Sequence, residues 1–409
     1  MKIWLKYLIG IAIGLLSAII IPADSAQSLS VLDFIVDLVL RFGRYTLLPV
    51  LFFSVATSFF KLREEKLLVR TSLWTGAAIL ASTLILLLLG FISGLIIKLP
   101  RLPVMIEKAA EVTTLEIKPL LSKIFPYSGF EALINGAYLL PAFIFAGFAG
   151  AGATSDKTAS KAAVTLFDSL SKVCYIVMSF FIEILAIGMV AIMSRWSINF
   201  ITLAKAKTFL PLFALLFANM LLVAFVIYPL ILRTLCHELH PYKVLYANLC
   251  SFLTAFFSGD TNLTLVLNMR HGKESLGIRR RINSFSFPLF AIFGRGGSAL
   301  VSAVCFIYIL RGYSTLGISV SDALWVFGMS FALSFILGEL PVGGPFVAIT
   351  TMCSLYGRGY EAGYLLLKDA APIICCMAAG FDALSAMFGT YVVAVKTKMI
   401  EHKEIHRFI

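Results

Sequence analysis

Charge is what this sequence has least of. Asp, Glu, Lys and Arg make up 14% of 409 residues, while 60% are hydrophobic and the mean hydropathy is +0.94. A water-soluble fold of that composition would expose far too much apolar surface, so a soluble enzyme is excluded and an all-α polytopic membrane protein is expected. The seven cysteines (Cys174, Cys236, Cys250, Cys305, Cys353, Cys375 and Cys376) show no metal-ligand spacing and mostly sit inside apolar runs. That pattern reads as small buried side chains, with no metal centre and no cofactor expected. Acidic residues are scarcer than basic ones, 22 against 34, giving a net charge of +12. Nucleic acid would be the ordinary partner of such an excess. Here the basic residues cluster in alternate loops, as membrane orientation requires, so the expected partners are a lipid bilayer and a small-molecule substrate, not nucleic acid.

The apolar runs give the organisation. A first span covers about Trp4 to Ile21; its basic start resembles a signal peptide, but the run is long for one and reads as a retained helix. Val31 to Phe60 is too long for one perpendicular helix and carries Asp33, Asp37, Arg41 and Arg44 early. It reads as an interfacial segment followed by a span kinked at Pro49. Further spans are expected over Ser72 to Ile97, Ala132 to Ala153, Ala163 to Met193 and Phe209 to Leu232. The longest polar segment, Lys98 to Glu131, contains Lys108, Glu111, Glu116 and Lys118 and is expected outside the membrane.

Two later regions are apolar arms around a polar tip. Val244 to Leu267 is interrupted by Ser258-Gly259-Asp260-Thr261-Asn262, and Leu324 to Leu355 by Gly338-Glu339-Leu340-Pro341-Val342-Gly343-Gly344-Pro345. Each arm has about 10 to 14 residues, roughly half the hydrocarbon thickness at 1.5 Å per residue. Two such arms make a re-entrant hairpin. Each hairpin precedes a full span, Asn283 to Leu310 and Leu365 to Val395, and repeats of this kind in inverted orientation mark secondary transporters. The expected total is eight transmembrane helices plus two re-entrant hairpins.

Loop charges set the orientation. With the N-terminus inside, Lys2 and Lys6, the Lys61 to Arg70 loop, the Arg279-Arg280-Arg281 run and the tail from Lys396 to Arg407 all fall on the inner side. The outer loop after the first span has no Lys or Arg. This positive-inside pattern predicts cytoplasmic N- and C-termini, and the protein is expected in the inner membrane of a prokaryote. The two hairpins then enter from opposite sides and their tips can meet.

The stretch Phe285 to Leu300, FSFPLFAIFGRGGSAL, holds the strongest functional signal. Three glycines around Arg295 predict a helix break, and a broken backbone with a charge is tolerated at membrane depth only where protein or a water-filled cavity covers it. Arg295 either clamps a substrate carboxylate or pairs internally with Asp260, Asp382 or Glu339. Asp260 either caps the second arm of its hairpin or joins the site. Glu339, an intramembrane carboxylate between Gly338 and Leu340, is the candidate for proton coupling. Ser298, Thr390 and Ser385 are candidate hydroxyl contacts, although buried hydroxyls on helices more often bond their own backbone. Glu183 reads as scaffold.

Over nearly its whole length the chain resembles the dicarboxylate/amino acid:cation symporters, which include glutamate and aspartate transporters. LLPVLFFSV (Leu47 to Val55), FDSLSKVCYIVMSFFIEILAIGMVAIM (Phe167 to Met193), LTAFFSGDTN (Leu253 to Asn262), GELPVGGP and GFDALSAMFGTYVVAVKT carry the resemblance. It implies a homotrimer with a static scaffold and a mobile, elevator-like transport part. Residues 1–70 and 130–200 would be mainly scaffold, 71–129 the third span and an extracellular linker, and 201–395 mainly transport part. The last would comprise hairpin 244–269, span 283–311, hairpin 322–357 and span 365–395, followed by a cytoplasmic tail, 396–409. The residue reading and the resemblance together make Arg295, Asp260, Thr261, Asn262, Ser298, Glu339, Gly343 and Thr390 the candidate substrate contacts.

The departures fall on the chemistry. Family sodium ligands are replaced at Gly294, Gly296, Val393 and Thr397. The family's amine-binding Asp is Ala386, its side-chain-carboxylate Arg is Gly389, and Asp382 is retained. The reading is therefore a secondary transporter of a small amino acid, dicarboxylate or organic anion, in which proton coupling or no coupling replaces sodium. An uncoupled facilitator, channel or transport-inactive sensor is the alternative. An intramembrane aspartyl protease is remote, because Phe257-Ser258-Gly259-Asp260 lacks the first glycine of its motif.

Overall fold

The structure, a computed structural model, describes residues 2–21, 25–97, 99, 100, 115, 117–134, 136–156, 158–313, 318–405 and 408. Among them the regular structure is helical, apart from a single antiparallel bridge between Ile278 and Ile400. Lys108, Glu111 and Glu116 of the polar segment lie outside the described residues.

The chain opens with α1 (Ile3–Ile20), α2 (Ala26–Arg44), α3 (Leu47–Glu64) and α4 (Leu68–Ile96). The short α5 (Ile117–Ile124) leads to α6 (Leu139–Gly152) and to α7 (Lys161–Ala206), a continuous helix of 46 residues. α8 (Leu210–Leu222) passes through a π-helical turn, Val223–Ile227, into α9 (Tyr228–Leu235). Then come α10 (Tyr242–Ser258), α11 (Thr261–Glu274), α12 (Arg280–Phe293) and α13 (Gly296–Tyr313). α14 (Val320–Ser334), α15 (Gly344–Tyr356) and α16 (Ala371–Lys396) complete the series.

Seven helical stretches among the described residues are long and apolar enough to cross a membrane. The fourth expected span appears instead as α6, with 14 residues. Pro49 does not kink a span. It falls in the first turn of α3, where a missing N–H breaks no helical bond, and the chain turns just before it at Tyr45-Thr46.

Burial separates two kinds of span. The apolar windows of Arg280–Gly312 and Ala371–Lys396 are 89% buried, against 28% for α1 and 39% for α4 and α7. The first two form the centre, and the others turn an exposed face of Leu, Ile, Val and Phe outward. With no hydrophobic drive between helices in lipid, close packing must come from small residues. Gly10, Gly14 and Ala18 make that stripe on α1; a side chain at Gly10 or Gly14 would run into the backbone carbonyls of Ala186 or Val190 on α7. α4 packs along α13 in the same way, with Gly90 against Leu300 and Gly94 against Val304 and Ile307.

Candidate functional site

The expected helix break is present. α12 ends at Gly294 (φ −82°, ψ 52°) and α13 restarts at Gly296, with Arg295 between them. Asp382, from the middle of α16, holds the broken end. Its carboxylate accepts hydrogen bonds from the N–H of Gly297 (2.7 Å), the N–H of Ser298 (3.4 Å) and the hydroxyl of Ser298 (2.9 Å). A carboxylate at a helix N-terminus satisfies free N–H groups and opposes the helix dipole, so Asp382 caps α13 from another helix. Gly297 makes this approach possible, because any Cβ there would collide with Phe381 and the Ala378 carbonyl. The Ser298 hydroxyl is consumed by this cap.

Arg295 is 3% exposed, and its Nη1 lies 3.9 Å from Asp382 Oδ2. Its Nε and Nη2 have no partner among the described residues. The guanidinium lines a cavity of about 10 Å³, enough for one water-sized occupant. Thr261, Thr264, Leu265 and Asn268 of α11, Phe287, Phe290 and Ala291 of α12, and Asp382, Ala383 and Ala386 of α16 complete the wall.

A second pair lies nearby. Asp260 is fully buried and caps α11, accepting from the N–H of Asn262 (2.9 Å) and of Leu263 (3.1 Å). Its other oxygen accepts from Arg44 Nε of α2 at 2.5 Å. Arg295 feels the charges of Asp382, Asp260 and Arg44 together. Two arginines and two aspartates thus form a neutral quartet, the form in which buried charge is tolerable.

The tips of the two helix pairs α10–α11 and α14–α15 touch. The N–H and the hydroxyl of Thr261 both donate to the Pro341 carbonyl, each at 3.2 Å. Asn262 Nδ2 turns away from the cavity and donates to the Ala137 carbonyl (2.9 Å) ahead of α6. Gly343, the N-cap of α15, has φ +76°, a backbone state that favours glycine.

Of the residues singled out from sequence, Arg295, Asp382 and Thr261 meet at the cavity, with Asp260 adjoining through the charge network. Glu339 does not line it; the Lys123 ammonium of α5 pairs with its carboxylate. Thr390 faces the Ser286 hydroxyl at 3.4 Å, and Ser385 bonds Tyr228 at 2.7 Å. At two positions where the resemblance implies replaced sodium ligands, the Thr397 hydroxyl is committed to the Val393 carbonyl (2.7 Å), and a Cβ on Gly296 would press on Thr83 and Leu86 of α4. A side chain at Gly389 would meet the ring of Phe290, which occupies that space. Sequence reasoning missed Arg44, Thr264 and Asn268. The polar residues of α11 at helical spacing, Thr261, Thr264 and Asn268, were the available signal; for Arg44 no local pattern pointed to a partner 216 residues away.

Comparison with known proteins agrees with this architecture. A serine/threonine transporter SstT of Streptococcus agalactiae serotype III (strain NEM316) is 26% identical over 358 residues, covering 86% of this chain and 85% of that protein. One from Enterococcus faecalis (strain ATCC 700802 / V583) is 27% identical over 229 residues, covering 56% and 52%. The profile of the sodium:dicarboxylate symporter family matches residues 3–396, and this multi-pass membrane protein belongs to that family of secondary transporters.

Proposed function

We propose that this protein carries a small amino acid or organic anion across the membrane, with Arg295 as a fixed cation at the helix break. The observation that carries the reading is Arg295 itself, buried beside Asp382 with two nitrogens unpartnered and facing a cavity. A tethered guanidinium supplies permanent positive charge where the family resemblance places a sodium-binding turn, so sodium is not needed to balance Asp382. Its free donors suit a carboxylate oxygen. Gly389 and Ala386 remove the family's clamps for a second carboxylate and for the amine. Loss of the second carboxylate clamp disfavours dicarboxylates, and the two relatives above are named for serine and threonine, which are the substrates proposed here.

Transport would move α10 to α16 as a body against α1, α2, α3 and α7 within a homotrimer, with α10–α11 and α14–α15 acting as re-entrant hairpins. The contact of the tips at Thr261 and Pro341 supports that reading. The cavity admits one water-sized occupant, so substrate requires the tips to separate first.

The test is uptake and counterflow in proteoliposomes with radiolabelled L-serine, L-threonine, L-aspartate and succinate under imposed proton or sodium gradients. Proton-driven accumulation or uncoupled exchange of serine or threonine is expected. Accumulation driven by sodium would overturn the coupling assignment. Absence of uptake and of exchange, with binding retained, would favour a sensor on the same fold. Arg295→Met should abolish binding of the transported substrate; unchanged binding would remove Arg295 from the site.

A further inference from the structure

The α11 residues that line the cavity beside Arg295 are the first members of a longer polar stripe. Thr261, Thr264, Asn268, His271 and Ser275 recur at three- and four-residue spacing along α11 and its C-cap. At 3.6 residues per turn they fall within an arc of about 80°. The first three line the Arg295 cavity, and the stripe continues past it to His271 and Ser275. Every member is at least 95% buried.

His271 is 1% exposed, and neither ring nitrogen has a hydrogen-bond partner among the described residues. Asn268 Oδ1 and the Ser275 hydroxyl are unpartnered as well. α10 carries a matching set: both side-chain amide atoms of Asn248 and the Ser251 hydroxyl are buried without a partner. α10 and α11 pack together from the two-residue turn at Gly259-Asp260. Asn248 and His271 stand about equally far from that turn, as do Ser251 and Asn268, so the sets share a level along the pair. One turn further along α10, Ala255 packs with Ala379 and Ala383 of α16, and Ala383 also lines the cavity. Buried polar groups are ordinarily satisfied, and here five residues on two adjoining helices stand open among the described residues.

We propose that His271 is a proton-binding site on a polar seam that joins the Arg295 cavity to the end of α11. Histidine can accept and donate a proton through its two ring nitrogens, and both are unpartnered here among the described residues. The surrounding charges are already committed. Arg270, on the opposite face of α11, pairs with Glu183 of α7 and with Glu274. Tyr175 of α7 bonds Glu274, Arg44 of α2 bonds Asp260, and Arg280 of α12 pairs with Asp168. On α16, Asp382 caps α13 and Tyr391 bonds Glu238, which also pairs with Lys243 of α10. Cys250 of α10 is buried, and Tyr7 of α1 donates to the Ile182 carbonyl. Among the described residues of α11, His271 is the titratable side chain whose polar atoms have no partner. At the outer end of the seam, the Lys403 ammonium donates to the carbonyls of Lys273 (3.2 Å) and Glu274 (2.9 Å), and the Glu274 carboxylate is 29% exposed.

The site is tested without substrate by deuterium exchange at the imidazole C2 position, followed by mass spectrometry on the full-length protein in lipid nanodiscs. The exposed His237, His240 and His402 serve as references. Exchange at His271 that follows pH as a titration is expected. Exchange at His271 that does not change with pH, while exchange at the references does, would overturn the site. For the coupling role, which rests on the transporter reading, pyranine-loaded proteoliposomes report proton entry when L-serine is added. His271→Gln should lose that signal while keeping serine counterflow. Unchanged proton entry in this variant would overturn the role. His271 exchange that follows pH, in a protein that moves no amino acid, would leave the proton site standing and sink the transporter reading.

Discussion

At the scale of single residues, the site is a problem in charge balance. Arg295 and Asp382 are both at least 95% buried, and each is tolerable only because of the other. Removing one partner of such a pair typically costs about 3–5 kcal/mol, because the remaining charge has no solvent. Asp382→Asn and Arg295→Met should each lower the unfolding midpoint strongly, whereas the double variant recovers part of the loss. Thermal denaturation in nanodiscs measures this, and additive losses would show that the pair is not coupled. Asp260 serves two masters, the N-terminus of α11 and Arg44. Asp260→Ala should therefore cost about 2–4 kcal/mol, more than a cap alone. A loss no greater than that of Arg44→Met would show that the cap contributes nothing.

At the scale of elements, the half-length helices are defined by their ends. α11 begins where Gly259 takes φ +68° and Asp260 caps, and α13 begins where Asp382 caps from α16. Gly297→Leu should unseat α13 from α16 by a clash with Phe381; protease sensitivity near the break would report it, and wild-type resistance would count against it. The loop between α9 and α10 is held by Glu238, which accepts from Tyr391 (2.5 Å) and Lys243 (2.8 Å). Burial works to raise its pKa, but the bonds from Lys243 and Tyr391 outweigh it and hold the group below the usual glutamate value. Its contribution is fully present above the unfolded-state value and is lost as pH falls through the lower, folded-state value. Melting temperature measured against pH should show an acid limb that Glu238→Gln flattens; an unchanged limb would exclude this group as its source.

At the scale of the whole molecule, polar clasps tie α11 and α12 to the long helix α7. Arg270 meets Glu183, which also holds Lys6 of α1, and Arg280 meets Asp168, which also holds Lys61 of α3. If α10 to α16 move as a body, these clasps must open. Breaking one worth about 0.5–1 kcal/mol shifts a two-state population about two- to fivefold. Arg280→Gln should change the counterflow rate by that factor, and an unchanged rate at equal protein density would argue against sliding along α7.

Much of this was legible in the chain itself. Continuous apolar runs determined that the protein crosses a membrane, because no soluble fold could bury them, and the glycines around Arg295 determined where a helix breaks. The cap at Asp260 was one of two roles that its residue type and position allowed. Pairings across the fold were not legible: Arg44 with Asp260, Lys123 with Glu339 and Asp382 with the end of α13 join residues far apart in the chain. Local propensity depends on neighbours within a turn or two, whereas the partner of a buried charge is fixed by which helices pack together. Sequence placed an arginine at the break, and only the tertiary structure decided which charges balance it and how little space remains beside it.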